Sequence, residues 1–174
     1  MVISNPFLIV HIIAASAAVP LGAAILTMRK GTATHRLMGY GYFLAMLVCN
    51  LSIFPVEARL LPIADTRFGI FHIAALVSLG SLAFGAAGLV RWLRTGDIEA
   101  MRSHQINLGY SYLGLVMALA SELLINPNLG LSPVATPQQF WTLMAVVNIG
   151  LYVGGSVLIF SKLGKGDPIR HLAA

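Results

Sequence analysis

Charge is so sparse along this chain that its apolar runs define its organisation. No charged residue precedes Arg29, and a first apolar run from Pro6 to Met28 is closed by Arg29, Lys30 and Gly31. Four more follow, from about Leu37 to Val56, Phe68 to Val90, Gln105 to Ile125 and Phe140 to Phe160. At 1.5 Å per helical residue, about twenty residues cross a hydrocarbon layer of roughly 30 Å. Between the runs, Thr95–Ser103 and Asn126–Gln139 are expected to be loops, the second marked by Pro127, Pro133 and Pro137. The pattern predicts an all-α membrane protein, with five transmembrane helices in a single integral membrane domain over residues 1–174. No basic stretch leads into the first run, so that helix is expected to be retained rather than cleaved as a signal peptide.

Composition narrows the class. Hydrophobic residues make up 57% of the chain and charged residues 10%, against about 25% charged in soluble proteins, which excludes a water-soluble domain. The net charge of +5 does not point to nucleic acid, because the basic residues are spread between apolar runs instead of forming one patch. The expected partner is the lipid bilayer. Arg29, Lys30 and Arg36, then Arg91, Arg94 and Arg102, then Lys162, Lys165 and Arg170 fall on one side of a five-span chain. Arg59 and Arg67, accompanied by Glu57 and Asp65, fall on the other. The positive-inside rule then predicts an outside amino terminus, a cytoplasmic carboxyl terminus and an inner-membrane, multi-pass location. The single Cys49 rules out a disulfide or a Cys-based zinc site within one chain and reads as a buried small hydrophobe.

The chain also resembles itself. Phe7-Leu-Ile-Val-His11-Ile-Ile-Ala aligns with Phe68-Gly-Ile-Phe-His72-Ile-Ala-Ala. His35-Arg-Leu-Met-Gly39-Tyr40-Gly-Tyr42 aligns with His104-Gln-Ile-Asn-Leu-Gly109-Tyr110-Ser-Tyr112, with one extra residue in the second copy. Two helical hairpins of the same polarity, about 6–56 and 68–125, are expected to form a duplicated four-helix bundle. The fifth helix, about 140–160, has no repeat partner. It carries Gly150 and Gly154, a small-residue spacing that would let it seal the bundle or form a homodimer.

Four of the five histidines open the four repeat spans, and imidazole within hydrocarbon needs a partner. His11 and His72 are expected roughly 8 Å in from the outer boundary, His35 and His104 at the cytoplasmic entrance, with the layers about 25 Å apart. If alternate spans lie on the diagonals of the bundle, each layer could clasp a planar macrocycle with one axial nitrogen from each side. Ala14, Ala15, Ala18 and Gly22 on the His11 face, Ala75 and Ala83 on the His72 face, and Gly39 one turn after His35 would leave room. The plainer alternatives are interfacial snorkelling or helix capping for His35 and His104, and hydrogen-bonded core histidines for His11 and His72. Two ligands per layer fall short of a closed zinc site.

His11 and Gly22 in the first span, His35-Arg36-Leu37-Met38-Gly39 opening the second, Phe68 to His72 in the third, and Gly96-Asp97 before His104 together resemble a bacterial family of small predicted membrane proteins carrying a domain of unknown function. The pairing of first span with third and second with fourth is similar to the four-helix core of the ascorbate-reducible transmembrane di-haem cytochromes b. That resemblance implies haem b, one or two groups, with His11, His72, His35 and His104 as axial ligands. The expectation is a transmembrane b-type cytochrome that passes single electrons between two bis-histidine haems. As a membrane oxidoreductase it would use a quinol, a ferric chelate or a redox partner protein. A cofactor-free small-solute transporter and a structural or assembly factor of a larger membrane complex are the alternatives.

The remaining polar residues are less informative. Glu122 and Glu57 are expected near the outer interface, where a carboxylate is solvated or meets a quinol headgroup. Asn50, Ser52, Asn107, Ser111 and Asn148 are candidates for bonds between helices. Tyr40, Tyr42, Tyr110 and Tyr112 are expected to form an aromatic belt at the inner interface, and the methionines to serve as packing. No phosphate-binding glycine loop, nucleophile elbow or hydrolytic carboxylate pair is present.

Overall fold

The computed structural model describes residues 5–58, 63, 65–125 and 136–165, and these are organised as five helices. They are α1 Pro6–Thr27, α2 Ala33–Ser52, α3 Ile70–Thr95, α4 Ile98–Ile125 and α5 Pro137–Lys165. Three of them, α1, α3 and α5, are long and apolar enough to cross a membrane. Arg59, Pro127, Pro133 and Arg170 lie outside the described residues.

Capping chemistry sets the boundaries. Asn5 starts α1, its side-chain oxygen accepting the Phe7 N–H at 3.0 Å, with Pro6 in the first position, where no amide hydrogen is needed. Thr32 starts α2 by accepting the His35 N–H at 3.1 Å, so this helix begins four residues before its apolar run. It ends at Ser52, whose hydroxyl donates back to the Cys49 carbonyl at 2.9 Å, three residues before Pro55. Helix α2 therefore stops short of Val56. The expected loop Thr95–Ser103 shrinks to a two-residue turn. Gly96 closes α3 in the left-handed conformation at φ +68°, and the Asp97 carboxylate at once accepts the Glu99 N–H of α4 at 3.0 Å. Charge made that stretch look like a loop, whereas its Gly-Asp pair is a stop followed directly by a start. Thr136 likewise accepts the Gln139 N–H at 3.2 Å, so Pro137–Gln139, expected as loop, form the first turn of α5.

Helix α1 packs along α2 and α3 along α4; α2 also touches α3, α1 touches α4, and α5 lies against α4. Ala18, Tyr42, Met46, Leu82 and Leu115 form the buried core. On α2, His35, Tyr42 and Cys49 recur at seven-residue spacing, two helical turns each, and so share one face. Buried positions of α1 are all small, Ala14, Ala18 and Gly22, and larger side chains from its neighbours fill the space beside them. A Cβ on Gly22 would stand 2.2 Å from the Tyr112 ring and 3.0 Å from that of Tyr42. The gap expected for a macrocycle there is filled by tyrosine. Ala83, expected on the His72 face, is exposed, and Leu82 and Gly85 take the buried positions instead. The outward faces carry large apolar side chains such as Ile13, Leu76, Phe84 and Val157, a surface suited to lipid.

The tightest approach joins α3 to α4. A Cβ on Gly88 would stand 2.7 Å from the Ala100 carbonyl oxygen and 2.9 Å from the His104 amide nitrogen, both backbone atoms that cannot swing away. Gly80, on the same helix, has nothing within 4 Å of that position. Gly88→Ala is expected to destabilise the protein by about 1–3 kcal/mol through overpacking. Gly80→Ala is expected to be neutral or to stabilise by up to about 1 kcal/mol through helix propensity. Thermal denaturation of the two variants in detergent micelles measures the contrast.

Candidate functional site

The four histidines occupy two ends of the helical array, and their hydrogen bonds differ. His72 is the third residue of α3 and 4% exposed. Its Nδ1 accepts the Gly69 N–H at 3.0 Å, capping the helix from within, and its Nε2–H donates to the Val56 carbonyl at 3.0 Å. Both ring nitrogens are engaged, which sets the neutral tautomer. Phe54 and Phe68 flank the ring, with centroids at 5.9 and 5.1 Å. His11 donates from Nδ1 to the Cys49 carbonyl at 2.8 Å, an oxygen that also accepts the Ser52 hydroxyl. The two rings neither hydrogen-bond nor stack on one another among the described residues. Each instead holds a carbonyl at or just beyond the end of α2, where helical carbonyls lose their own partners. The expected depth of this pair would require partners, and the chain's own backbone supplies them. An axial bond to iron from His72 would require one of its two hydrogen bonds to break.

The other end is arranged differently. His104 donates from Nδ1 to the Gly85 carbonyl of α3 at 2.9 Å, which leaves Nε2 as the acceptor nitrogen and fixes the ring plane. This is the arrangement by which proteins orient a ligating histidine. The bond depends on the close approach at Gly88, which lets the first two turns of α4 lie directly on α3. His35, in the first turn of α2, is within electrostatic reach of His104 and of Lys30. Its Nδ1 is buried and has no hydrogen-bond partner. One turn onward, Gly39 has nothing within 4 Å of where a Cβ would be. This end therefore combines a buried ring nitrogen without a hydrogen bond among the described residues, a second imidazole whose plane Gly85 fixes, and open space beside Gly39. No cluster of three or more His, Cys, Asp or Glu residues able to hold a bare metal ion occurs among the described residues.

Other polar residues mostly tie helices together. Tyr42, expected in an interfacial belt, is 2% exposed and its hydroxyl pairs with that of Ser111 on α4 at 3.2 Å. The early start of α2 places it in the third turn, on the core face; Tyr40, 72% exposed, faces outward. Asn50 donates to Ser78 on α3 at 3.1 Å, Asn148 of α5 to Ser121 of α4 at 3.1 Å, and the Tyr110 hydroxyl to Ser156 of α5 at 3.1 Å. Asn107 and Ser52 bond within their own helices. Glu122 and Glu57 are exposed. Sequence reasoning overlooked Gly85 and Gly88, whose spacing on one face of α3 was the available signal, and counted Lys30 only towards orientation.

Because His72 spends both nitrogens on backbone groups, His72→Ala is expected to cost about 1–3 kcal/mol and to raise amide exchange over residues 53–58 and 65–70. Hydrogen–deuterium exchange checks this; unchanged protection there would remove the clamp. No family model, curated protein or solved structure matches this chain, so the geometry of its own residues carries the functional reading.

Proposed function

We propose that this protein is a membrane-embedded b-type cytochrome that holds one haem between His35 and His104 and exchanges single electrons there. The observation that carries the reading is the buried Nδ1 of His35, without a hydrogen bond among the described residues, with an imidazole that Gly85 already orients within electrostatic range. A buried polar atom without a partner is costly and in native proteins calls for an explanation. An occupant bonded at that nitrogen answers it directly. When bound, haem supplies one-electron chemistry, and two imidazoles would occupy both axial positions, which favours electron transfer over binding of oxygen. The protein's part is to hold the His104 plane through Gly85, to leave space beside Gly39, and to surround the site with apolar helices. His11 and His72 serve in this reading as clamps on the end of α2, which reduces the expected two haems to one.

The wider architecture belongs to the same proposal. The packing of α1 on α2, α3 on α4, α2 on α3 and α1 on α4 supports a four-helix bundle of two duplicated hairpins, with α2 and α4 on one diagonal. All five helices would cross the inner membrane, the amino terminus outside and the basic end with His35 and His104 at the cytoplasmic face. A quinol, a ferric chelate or a redox partner protein would exchange the electron. A second copy would pack against Gly150 and Gly154, which have open space beside them while Gly155 meets Leu113 of α4. Gly150→Leu is then expected to abolish a cross-linked dimer in membranes.

Protein purified from haem-replete cells is expected to show a Soret band that sharpens and shifts to longer wavelength with dithionite, and a pyridine haemochrome corresponding to one haem b per chain. His35→Ala and His104→Ala should each remove it, whereas His72→Ala should retain it. A folded but colourless wild-type preparation would falsify the cytochrome.

A further inference from the structure

The histidines that bond to the backbone do so in two chemically different ways. His11 and His104 donate an Nδ1–H to the carbonyls of Cys49 and Gly85, and such a ring keeps that N–H when it gains a proton. His72 differs. Its Nε2–H donates to the Val56 carbonyl at 3.0 Å, while its Nδ1 accepts the N–H of the buried Gly69 at 3.0 Å. Acceptance needs the ring's one free lone pair, which an imidazolium lacks because both of its nitrogens carry hydrogen. A proton on His72 and the bond to Gly69 therefore exclude each other. What the ring holds is the connector between α2 and α3. The connector's other ties run from the Ala58 N–H to the Arg67 carbonyl at 2.9 Å, from the Ile63 N–H to the Phe68 carbonyl at 2.8 Å and from the Arg67 guanidinium to the Pro55 carbonyl at 3.4 Å. None of them uses a group that titrates near neutrality. The remaining titratable or charged groups at this end are His11 on α1, Cys49 on α2, Glu57, Asp65 and Arg67 in the connector, and Glu122 on α4. Among the described residues none of these hydrogen-bonds or ion-pairs with the His72 ring.

We propose that His72 is a proton-operated latch. Neutral, it joins the start of α3 to the chain just beyond α2; protonated, it releases the Gly69 amide, loosens the α2–α3 connector and frees the Phe54 and Phe68 rings that flank it. The sign follows from the proton count: the open state binds a proton that the closed geometry excludes, so opening grows as pH falls. His11 holds the end of α2 by a bond that survives protonation, which confines the response to the connector. The proposal stands on the two bonds of His72 and is independent of the haem reading. In the orientation proposed above, the latch answers to acid outside the membrane.

The test is hydrogen–deuterium exchange of the full-length protein in neutral detergent between about pH 8 and pH 5, a window in which ordinary carboxylates keep their charge and imidazoles gain a proton. Rates are corrected for the intrinsic pH dependence of exchange. Protection over residues 53–58 and 65–70 is expected to fall about tenfold from the upper to the lower pH, the scale of one hydrogen bond, while the middle of α3 stays unchanged. His72→Gln separates titration from packing, because a glutamine at the third helical position can accept the same Gly69 N–H but does not titrate. This variant should keep the protection of the wild type at pH 8 and lose its pH response. His11→Gln should retain the response. Protection of the connector that does not change with pH in the wild type, or a response that persists in His72→Gln, overturns the latch, as does a response abolished by His11→Gln.

Discussion

Imidazole N–H groups donated to the backbone carbonyls of neighbouring segments hold this molecule in register. His11 reaches from α1 to the Cys49 carbonyl, His72 from α3 to Val56, and His104 from α4 to Gly85. In an apolar environment a carbonyl or imidazole without a partner is expensive, so each bond specifies how far one helix may slide along or rotate against the next. His72 performs two such tasks at once, because it also caps α3 through the Gly69 amide. Among the described residues the buried Nδ1 of His35 has no hydrogen bond, whereas the Nδ1 of each of its three counterparts has one.

Glycine makes these bonds geometrically possible. The His104 ring reaches Gly85 because nothing separates α3 from α4 at Gly88, where a single added carbon would press on two backbone atoms. The same absence of a side chain at Gly22 admits Tyr112 and Tyr42, whose hydroxyl pairing with Ser111 ties α2 to α4 through the core. Close approach in a layer of mostly apolar helices gains dispersion contacts that lipid cannot match as well. Small residues at α1 and large ones facing them are two halves of one packing solution, which explains why a run such as Ala14, Ala18 and Gly22 does not by itself signal a cavity.

Depth and hydrogen bonding rank the two histidine layers in opposite orders. His11 and His72 lie farther into apolar sequence and so need partners more, yet that same need is what the backbone at the end of α2 satisfies. His35 and His104 lie beside cations, where an interfacial role is the plainer expectation, yet the geometry leaves the buried Nδ1 of His35 without a hydrogen bond among the described residues. A histidine's position in an apolar run states the demand; only the neighbouring segments state the supply.

Much of this was readable from the residue pattern. Long uncharged runs dictate helices, because a backbone deprived of water must bond to itself, and the boundary errors fell where a cap, not hydropathy, decides: Thr32, Asp97 and Thr136. The placement of four histidines at the openings of four runs, and the stripe of small residues on α1, were likewise legible, since helical spacing alone puts residues on a face. What side chains meet across helices was not. That Tyr42 is core and not belt, that Ala83 faces outward, that His72 is doubly bonded and His35 is not, all depend on the rotation and offset of one helix against another. Those are set by contacts between residues far apart in the chain, such as Gly88 with His104 and Gly22 with Tyr112, and no local periodicity encodes them. The sequence by itself determined that these helices form and which faces seek cover; the tertiary structure decided which partner covers each, because packing is a property of pairs of surfaces and not of one.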